Sequence, residues 1–108
     1  NIISQGFITQ KVIAVPDEYS LHQNYPNPFN PVTTIQYDLP EDSHVNMVIY
    51  DILGREVKTL LNQSEDAGYK SVRWNGMNNS GQNVSAGMYF YKLETSGYVK
   101  VNKMILLK

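Results

Sequence analysis

Side chains able to do chemistry are few in this sequence and poorly grouped. The two histidines, His22 and His44, have no cysteine for a partner and no serine in a nucleophile-elbow setting. Nucleophilic catalysis needs a nucleophile, a base and an orienting group within hydrogen-bond reach, so surface positions are the better reading of both rings. Asp38, Glu41 and Asp42 gather around Pro40. A turn selects acidic residues for its own backbone hydrogen bonds, so the cluster gives no ground for assigning a glycosidase pair. The run from Asn75 to Asn83 spaces side-chain oxygens as a calcium loop does, yet holds no carboxylate. Calcium is normally held by several charged oxygens, and a long hairpin in which Asn and Gly accept left-handed φ explains the run better. No catalytic residue, metal ligand or cofactor site is therefore assigned. Asn62, Asn78 and Asn83 each open an Asn-x-Ser sequon, a pattern that turn chemistry alone produces in a chain rich in Asn and Ser. Trp74 could be a stacking platform for sugars, but a single strand tryptophan is more often core.

These residues must be positioned by a domain of 108 residues, 42% hydrophobic and 11% aromatic, without cysteine. That length allows one apolar core and excludes a disulfide framework. Nine Lys plus Arg stand against ten Asp plus Glu. Such a balance disfavours nucleic acid or an anionic membrane as partner, because both are held by clustered cations. The longest apolar stretches, Met47–Tyr50 and Met104–Leu107 among them, are four residues each, against the roughly 20 of a membrane-spanning helix. Residues 1–15 lack the apolar core of a signal peptide, so an export address is expected upstream of Asn1 or elsewhere in the chain.

Turn-forming clusters recur every 10 to 15 residues between segments rich in Tyr, Val, Ile and Thr, which predicts an all-β domain. Residues 1–16, including the loose alternation of Phe7 to Val15, read as a linker or the tail of a preceding domain, closed by Pro16-Asp17-Glu18. The domain proper is expected at 17–108. After a short entry near Ser20 to Gln23, the prolines of Tyr25–Pro31 lack the N–H groups of a central strand and must run along an edge or over the surface. Phe29 is expected to plug the rim of the sandwich, with Asn27 and Asn30 capping backbone groups.

Ile35, Tyr37 and Leu39 share one face of a half-buried strand, and Val45, Met47 and Ile49 repeat the pattern. Further strands are read at Glu56–Leu61, Tyr69–Trp74, Gly87–Thr95 and Tyr98–Leu107, with Gly54, Gly68, Gly81 and Gly87 placed in turns. About seven strands imply an Ig-like antiparallel β-sandwich. In the last strand Val99 and Val101 are out of phase with Met104 and Leu106, which predicts a bulge near Asn102.

Gln23-Asn24-Tyr25-Pro26-Asn27-Pro28-Phe29-Asn30-Pro31 resembles the opening signature of the type A C-terminal sorting domain of the type IX secretion system. The resemblance continues in order through Ile49-Tyr50-Asp51-Ile52-Leu53-Gly54-Arg55-Glu56-Val57, Ala67-Gly68, and a third motif from Trp74 through Gly76, Gly81, Gly87 and Tyr89 to Leu93. Lys103-Met104-Ile105-Leu106-Leu107-Lys108 resembles the family's terminal strand, so the match runs from Tyr19 to Lys108. The chain is also similar to the Ig-like domain of flagellar hook-capping proteins. It departs from the pattern in having Asn75 and Asn78 where Asp is usual.

The resemblance implies a non-catalytic secretion address at the C-terminus of a larger exported protein. It would be read by the outer-membrane translocon and its sorting machinery in a Bacteroidetes-like bacterium, leaving the cargo extracellular or attached to the cell surface. The upstream cargo domain in the same chain would do the chemistry. Lys103 to Lys108 are the leading candidates for partner recognition, through strand addition at an exposed edge. Residues 92–108 hold four Lys against one Glu, a local charge of +3 on a chain of net −1. A carbohydrate-binding or adhesion module of a secreted enzyme is the alternative.

Overall fold

In the computed structural model, residues 14–108 are described; the reading of residues 1–16 as a linker or the tail of a preceding domain falls largely outside them, and Ala14 and Val15 lie in no strand. Seven strands follow: β1 (Ser20–Leu21), β2 (Thr33–Leu39), β3 (Ser43–Tyr50), β4 (Glu56–Glu65), β5 (Gly68–Trp74), β6 (Gly87–Glu94) and β7 (Val99–Leu106). They form two antiparallel sheets, ordered β1-β2-β5 and β4-β3-β6-β7. This is an Ig-like β-sandwich.

Period-two alternation explains why the sheets face each other. From β2 the residues Ile35, Tyr37 and Leu39 enter the core, and from β3 and β6 come Val45, Met47, Ile49, Tyr89, Tyr91 and Leu93. Trp74 closes the core at one end, 1% exposed, with its ring 5.4 Å from Tyr89 in a T-shaped pair and 5.7 Å from Phe29. Its indole Nε1 donates to the Met77 carbonyl at 2.9 Å, so the one polar atom of the ring is satisfied. The sugar-platform role weighed for Trp74 is thereby removed.

The bulge expected near Asn102 is absent. β6 and β7 pair without a break from Gly87↔Leu106 to Glu94↔Val99. The inward row of β7 is Asn102, Met104 and Leu106, while Val101 is 48% and Val99 57% exposed. A polar residue facing inward produced the apparent change of phase. Asn102 Nδ2 donates to the carbonyls of Leu21 and His22 at 3.2 and 3.3 Å and to the Tyr91 hydroxyl at 3.3 Å. The Tyr91 hydroxyl donates to His22 O at 2.7 Å and accepts from Asn24 N at 2.8 Å. This group of hydrogen bonds ties β1, in one sheet, to β6 and β7 in the other.

Irregularities do occur in β4, an edge strand, whose register against β3 shifts between Met47 and Val48 and again between Ile49 and Tyr50. Bulges of this kind twist an edge away from further pairing.

Four tyrosine hydroxyls, those of Tyr37, Tyr89, Tyr91 and Tyr98, are held above the ordinary phenol range, chiefly because burial disfavours the phenolate; for Tyr37 the bonded Glu65 carboxylate adds to this. A folded-state pKa above the unfolded value means the unfolded chain releases these protons first. Stability is therefore expected to hold up to about pH 10 and to decline above it. Denaturant titrations at rising pH check this, and Tyr37→Phe should flatten part of the decline. Phe29→Ala, which empties a core position, should lower stability by about 3–5 kcal/mol in the same assay.

Candidate recognition surface

Strand register gives the sandwich two poles. The described chain enters beside Ser20, which pairs with Asp38, and the final strand ends where Leu106 pairs with Gly87. Asp17, Glu18, Asp38, Glu41, Asp42, Glu65, Asp66 and Glu94, eight of the ten carboxylates, belong to the entry pole. Toward the exit pole lie Arg55, Lys58, Arg73, Lys103 and Lys108, with only Asp51 and Glu56 opposing them.

The proline-rich segment lies along the outer edge of β7 and ends at the exit pole. Gln23 Nε2 donates to Lys103 O at 2.9 Å, and Ile105 N donates to Asn27 Oδ1 at 3.0 Å. Phe29 forms a parallel bridge with Leu106, its N–H donating to Ile105 O at 3.0 Å and its carbonyl accepting from Leu107 N at 2.8 Å. Asn24, 2% exposed, holds the segment's bend: its Nδ2 donates to Thr33 Oγ1 at 2.9 Å and to Pro26 O at 3.1 Å. The peptides before Pro26, Pro28 and Pro31 are cis. Phe29 is 1% exposed and is therefore a core residue.

This geometry corrects the strand-addition idea for the C-terminal half of β7. From Lys103 O to Leu107 N the outward backbone groups already have partners within the domain. Met104 and Leu106, at 0% and 1% exposed, face the core and cannot meet a partner. Lys103 and Leu107 are exposed and Ile105 is half-buried, so these three side chains form the outward row, and Lys108, past the end of the strand, is exposed as well.

The turn between β3 and β4 adjoins the same pole. Asp51 Oδ1 accepts from Leu53 N at 2.9 Å and Arg55 N at 3.0 Å, and its Oδ2 accepts from Arg55 Nε at 2.9 Å. These donors, the Arg55 backbone first among them, hold the carboxyl below its usual range. Gly54 takes φ 82°, a conformation that costs glycine nothing. The turn thus explains Asp51, Gly54 and Arg55, but not Ile52 and Leu53, which project into solvent at 67% and 73% exposure. Between them and Ser85 to Tyr89 lies a hollow of about 340 Å³.

Three asparagines of the Asn75–Asn83 loop spend their amide oxygens on backbone. Asn75 Oδ1 accepts from Met77 N, Asn78 Oδ1 from Ser80 N and Gln82 N, and Asn79 Oδ1 from Thr59 N on the edge of β4. Gly76, at φ 75°, sits with its would-be Cβ 3.4 Å from Pro31 O, so a side chain there would press on the proline-rich segment. Tyr89 OH donates to Ser85 O at 2.6 Å, and Lys92 Nζ lies 5.5 Å above the Tyr50 ring. His22 Nε2 pairs with Asp38 Oδ2 at 2.9 Å and His44 Nε2 with Asn62 Oδ1 at 2.7 Å. Neither ring meets a hydroxyl nucleophile among the described residues. No group of three or more His, Cys, Asp or Glu could hold a metal ion among them either. Sequence reasoning placed Ile52 and Leu53 at the hairpin turn but did not single them out; two adjacent large apolar residues within a turn are the signal that could have found them.

Comparison with known proteins agrees with this architecture. No curated protein matches the chain by sequence. Among solved structures, dimeric latent PorU from Porphyromonas gingivalis aligns with a TM-score of 0.64 at 21% identity, over 90% of this chain and 10% of that one. PorZ, described as an essential bacterial surface component of the type-IX secretion system of the same organism, aligns at 0.55 and 20% identity, over 85% of this chain and 12% of PorZ. At those identities the likeness is one of fold, and the chain spans about a tenth of either protein. FlgD from P. aeruginosa aligns at 0.55 and 25% identity over 68% of this chain and 58% of its own. The model of the FlgD Ig-like domain matches residues 30–97, from Asn30 through β2 to β6 and into the β6–β7 turn. With that match covering more than half of its length, the chain belongs to the FlgD Ig-like domain family.

Proposed function

We propose that this domain is a non-catalytic C-terminal address that directs an upstream cargo through the type IX secretion system to the cell surface or exterior. The observation that carries the reading is the meeting of the Gln23–Pro31 motif, the Asp51–Arg55 turn and the terminal strand near one pole, away from where the chain enters. A cargo joined ahead of Ser20 leaves that pole free. The likeness to domains of PorU and PorZ supports a tie to this machinery.

The recognising surface in this reading is made of side chains, not of a free strand edge. Ile52, Leu53, Met88 and Leu107 expose apolar surface at 67%, 73%, 38% and 48%. The exposed Lys103 and Lys108 of the terminal segment add positive charge at this pole, while the charge of Arg55 is paired with Asp51. Exposed apolar surface rimmed by charge is the usual form of a protein contact. Long-range attraction to an acidic receptor would speed encounter, and the apolar centre would hold it.

Fusion of residues 17–108 to a periplasmic reporter, in a bacterium with this secretion system, should move the reporter outside the cell. Retention of a folded fusion in the periplasm would refute the proposal. Replacing Lys103 and Lys108 by Glu changes the local charge by four, and exposed substitutions alter stability by less than about 0.5 kcal/mol. That variant should melt normally and leave the periplasm more slowly; normal secretion removes the basic rim as a determinant. Ile52→Ser with Leu53→Ser should likewise retain the fold and lose most export, and export at the original rate would show that the turn is not read.

A further inference from the structure

Tyr25 is the one large side chain of the proline-rich motif that does nothing for the fold. Phe29 fills the core and Asn24 and Asn27 satisfy backbone groups, yet Tyr25 is 81% exposed. Exposing an aromatic ring to water at a position held so firmly calls for a contact outside the domain.

The ring has a counterpart. Tyr25 bridges to Thr34 on β2, and Tyr69, 66% exposed, pairs with Asp38 on the same strand. Thr34, Gln36 and Asp38 alternate with the core residues of β2, so both tyrosines stand on the outer face of the three-stranded sheet, on opposite sides of β2. Four residues along the strand and one strand spacing to either side put the two backbones about 16 Å apart. The intervening surface is polar. Gln36, Ser71 and the His22–Asp38 pair lie between the rings, with Gln36 shared by two shallow hollows of about 290 and 300 Å³. Asp38, bonded to His22, stands at the Tyr69 end of this face and the exposed Arg73, opposite Thr34, at the Tyr25 end, so the face carries one charge of each sign, well separated, and no cluster of cations to trap an anion.

We infer that this outer face binds a linear, uncharged polysaccharide, with Tyr25 and Tyr69 as stacking platforms at the two ends. The C–H face of a pyranose ring fits the negative face of a phenol, and the tyrosine hydroxyls remain free to meet water or sugar. An amide, a carboxylate and an imidazole present both donors and acceptors, which is what vicinal hydroxyls require. A protein partner would be expected to bury a contiguous apolar centre, and this face has two separated rings on a polar field instead. The inference does not rest on the secretion reading: it is argued from the outer face of β1, β2 and β5, whose Tyr25 end adjoins the exit pole and whose Tyr69 end lies at the entry pole.

The test is electrophoresis of the full chain through native gels containing hydroxyethylcellulose, xylan or mannan, with melting curves as the control for folding. Retardation is expected in at least one polysaccharide. Tyr25→Ala and Tyr69→Ala should each weaken it by roughly tenfold, the scale of one lost aromatic contact, at an unchanged melting temperature. Tyr69 lies outside the motif, so its variant decides the matter even if Tyr25→Ala disturbs the fold. Passage through all three gels without retardation, or equal retardation of wild type and Tyr69→Ala, overturns the inference. So does a Tyr25→Ala chain that binds polysaccharide normally but is exported slowly, which would assign the ring to the secretion machinery.

Discussion

The arrangement of the domain depends on how the outer edge of its last strand is covered. A strand at the margin of a sheet presents unpaired N–H and C=O groups, and in a small sandwich that margin invites association with other chains. Here the cover is a segment that cannot itself be a regular strand. Its prolines lack donors, so it supplies Gln23 Nε2, Asn27 Oδ1 and the backbone of Phe29 in place of a ladder. Phe29 makes the attachment durable, because lifting the segment would draw a fully buried ring out of contact with Trp74. Trp74 in turn packs on Tyr89 and is fixed by Met77, and Gly76 allows Pro31 to come close. Motif residues that lie far apart in the chain therefore serve one junction.

Much of this was legible in the sequence. Alternation in Ile35-Gln36-Tyr37-Asp38-Leu39 and Val45 to Ile49 determines both strand and face, since a half-buried strand leaves no other way to read it. The prolines of the motif likewise forced an edge position, and the aromatic between two Asn residues pointed inward. Asn102 misled because an inward-facing amide breaks the hydrophobic count without breaking the strand. Its partners, the Leu21 and His22 carbonyls and the Tyr91 hydroxyl, are about 80 and 11 residues away in sequence, and no local pattern could announce them.

The surface proposed for recognition was legible only in part. Lys103 and Lys108 were visible as a basic end, but the division of the terminal strand into an inward row and an outward row needed the register with β6. Ile52 and Leu53 fall in the stretch that the sequence assigns to the hairpin turn around Gly54, but their outward exposure carries no sequence signal of its own. They face water because Asp51 ends the strand and closes the turn with three hydrogen bonds to Leu53 and Arg55. The Asn-rich loop shows the converse case: its amides resemble a ligand set on paper and are spent on backbone in the fold.

The parallel course of the motif segment and the terminal strand also has a mechanical meaning. The described chain enters at one pole and its last strand ends at the other, and Phe29 and Leu106 run side by side in the same direction. Tension applied between a cargo ahead of β1 and a receptor gripping the C-terminus would slide these two segments past each other lengthwise. Bonds loaded in that way share the force and must give together, whereas an antiparallel hairpin pulled from its open end parts one bond at a time. The pairing that shields the edge would thus double as a clamp, resisting extension along the very axis on which a transporter would pull.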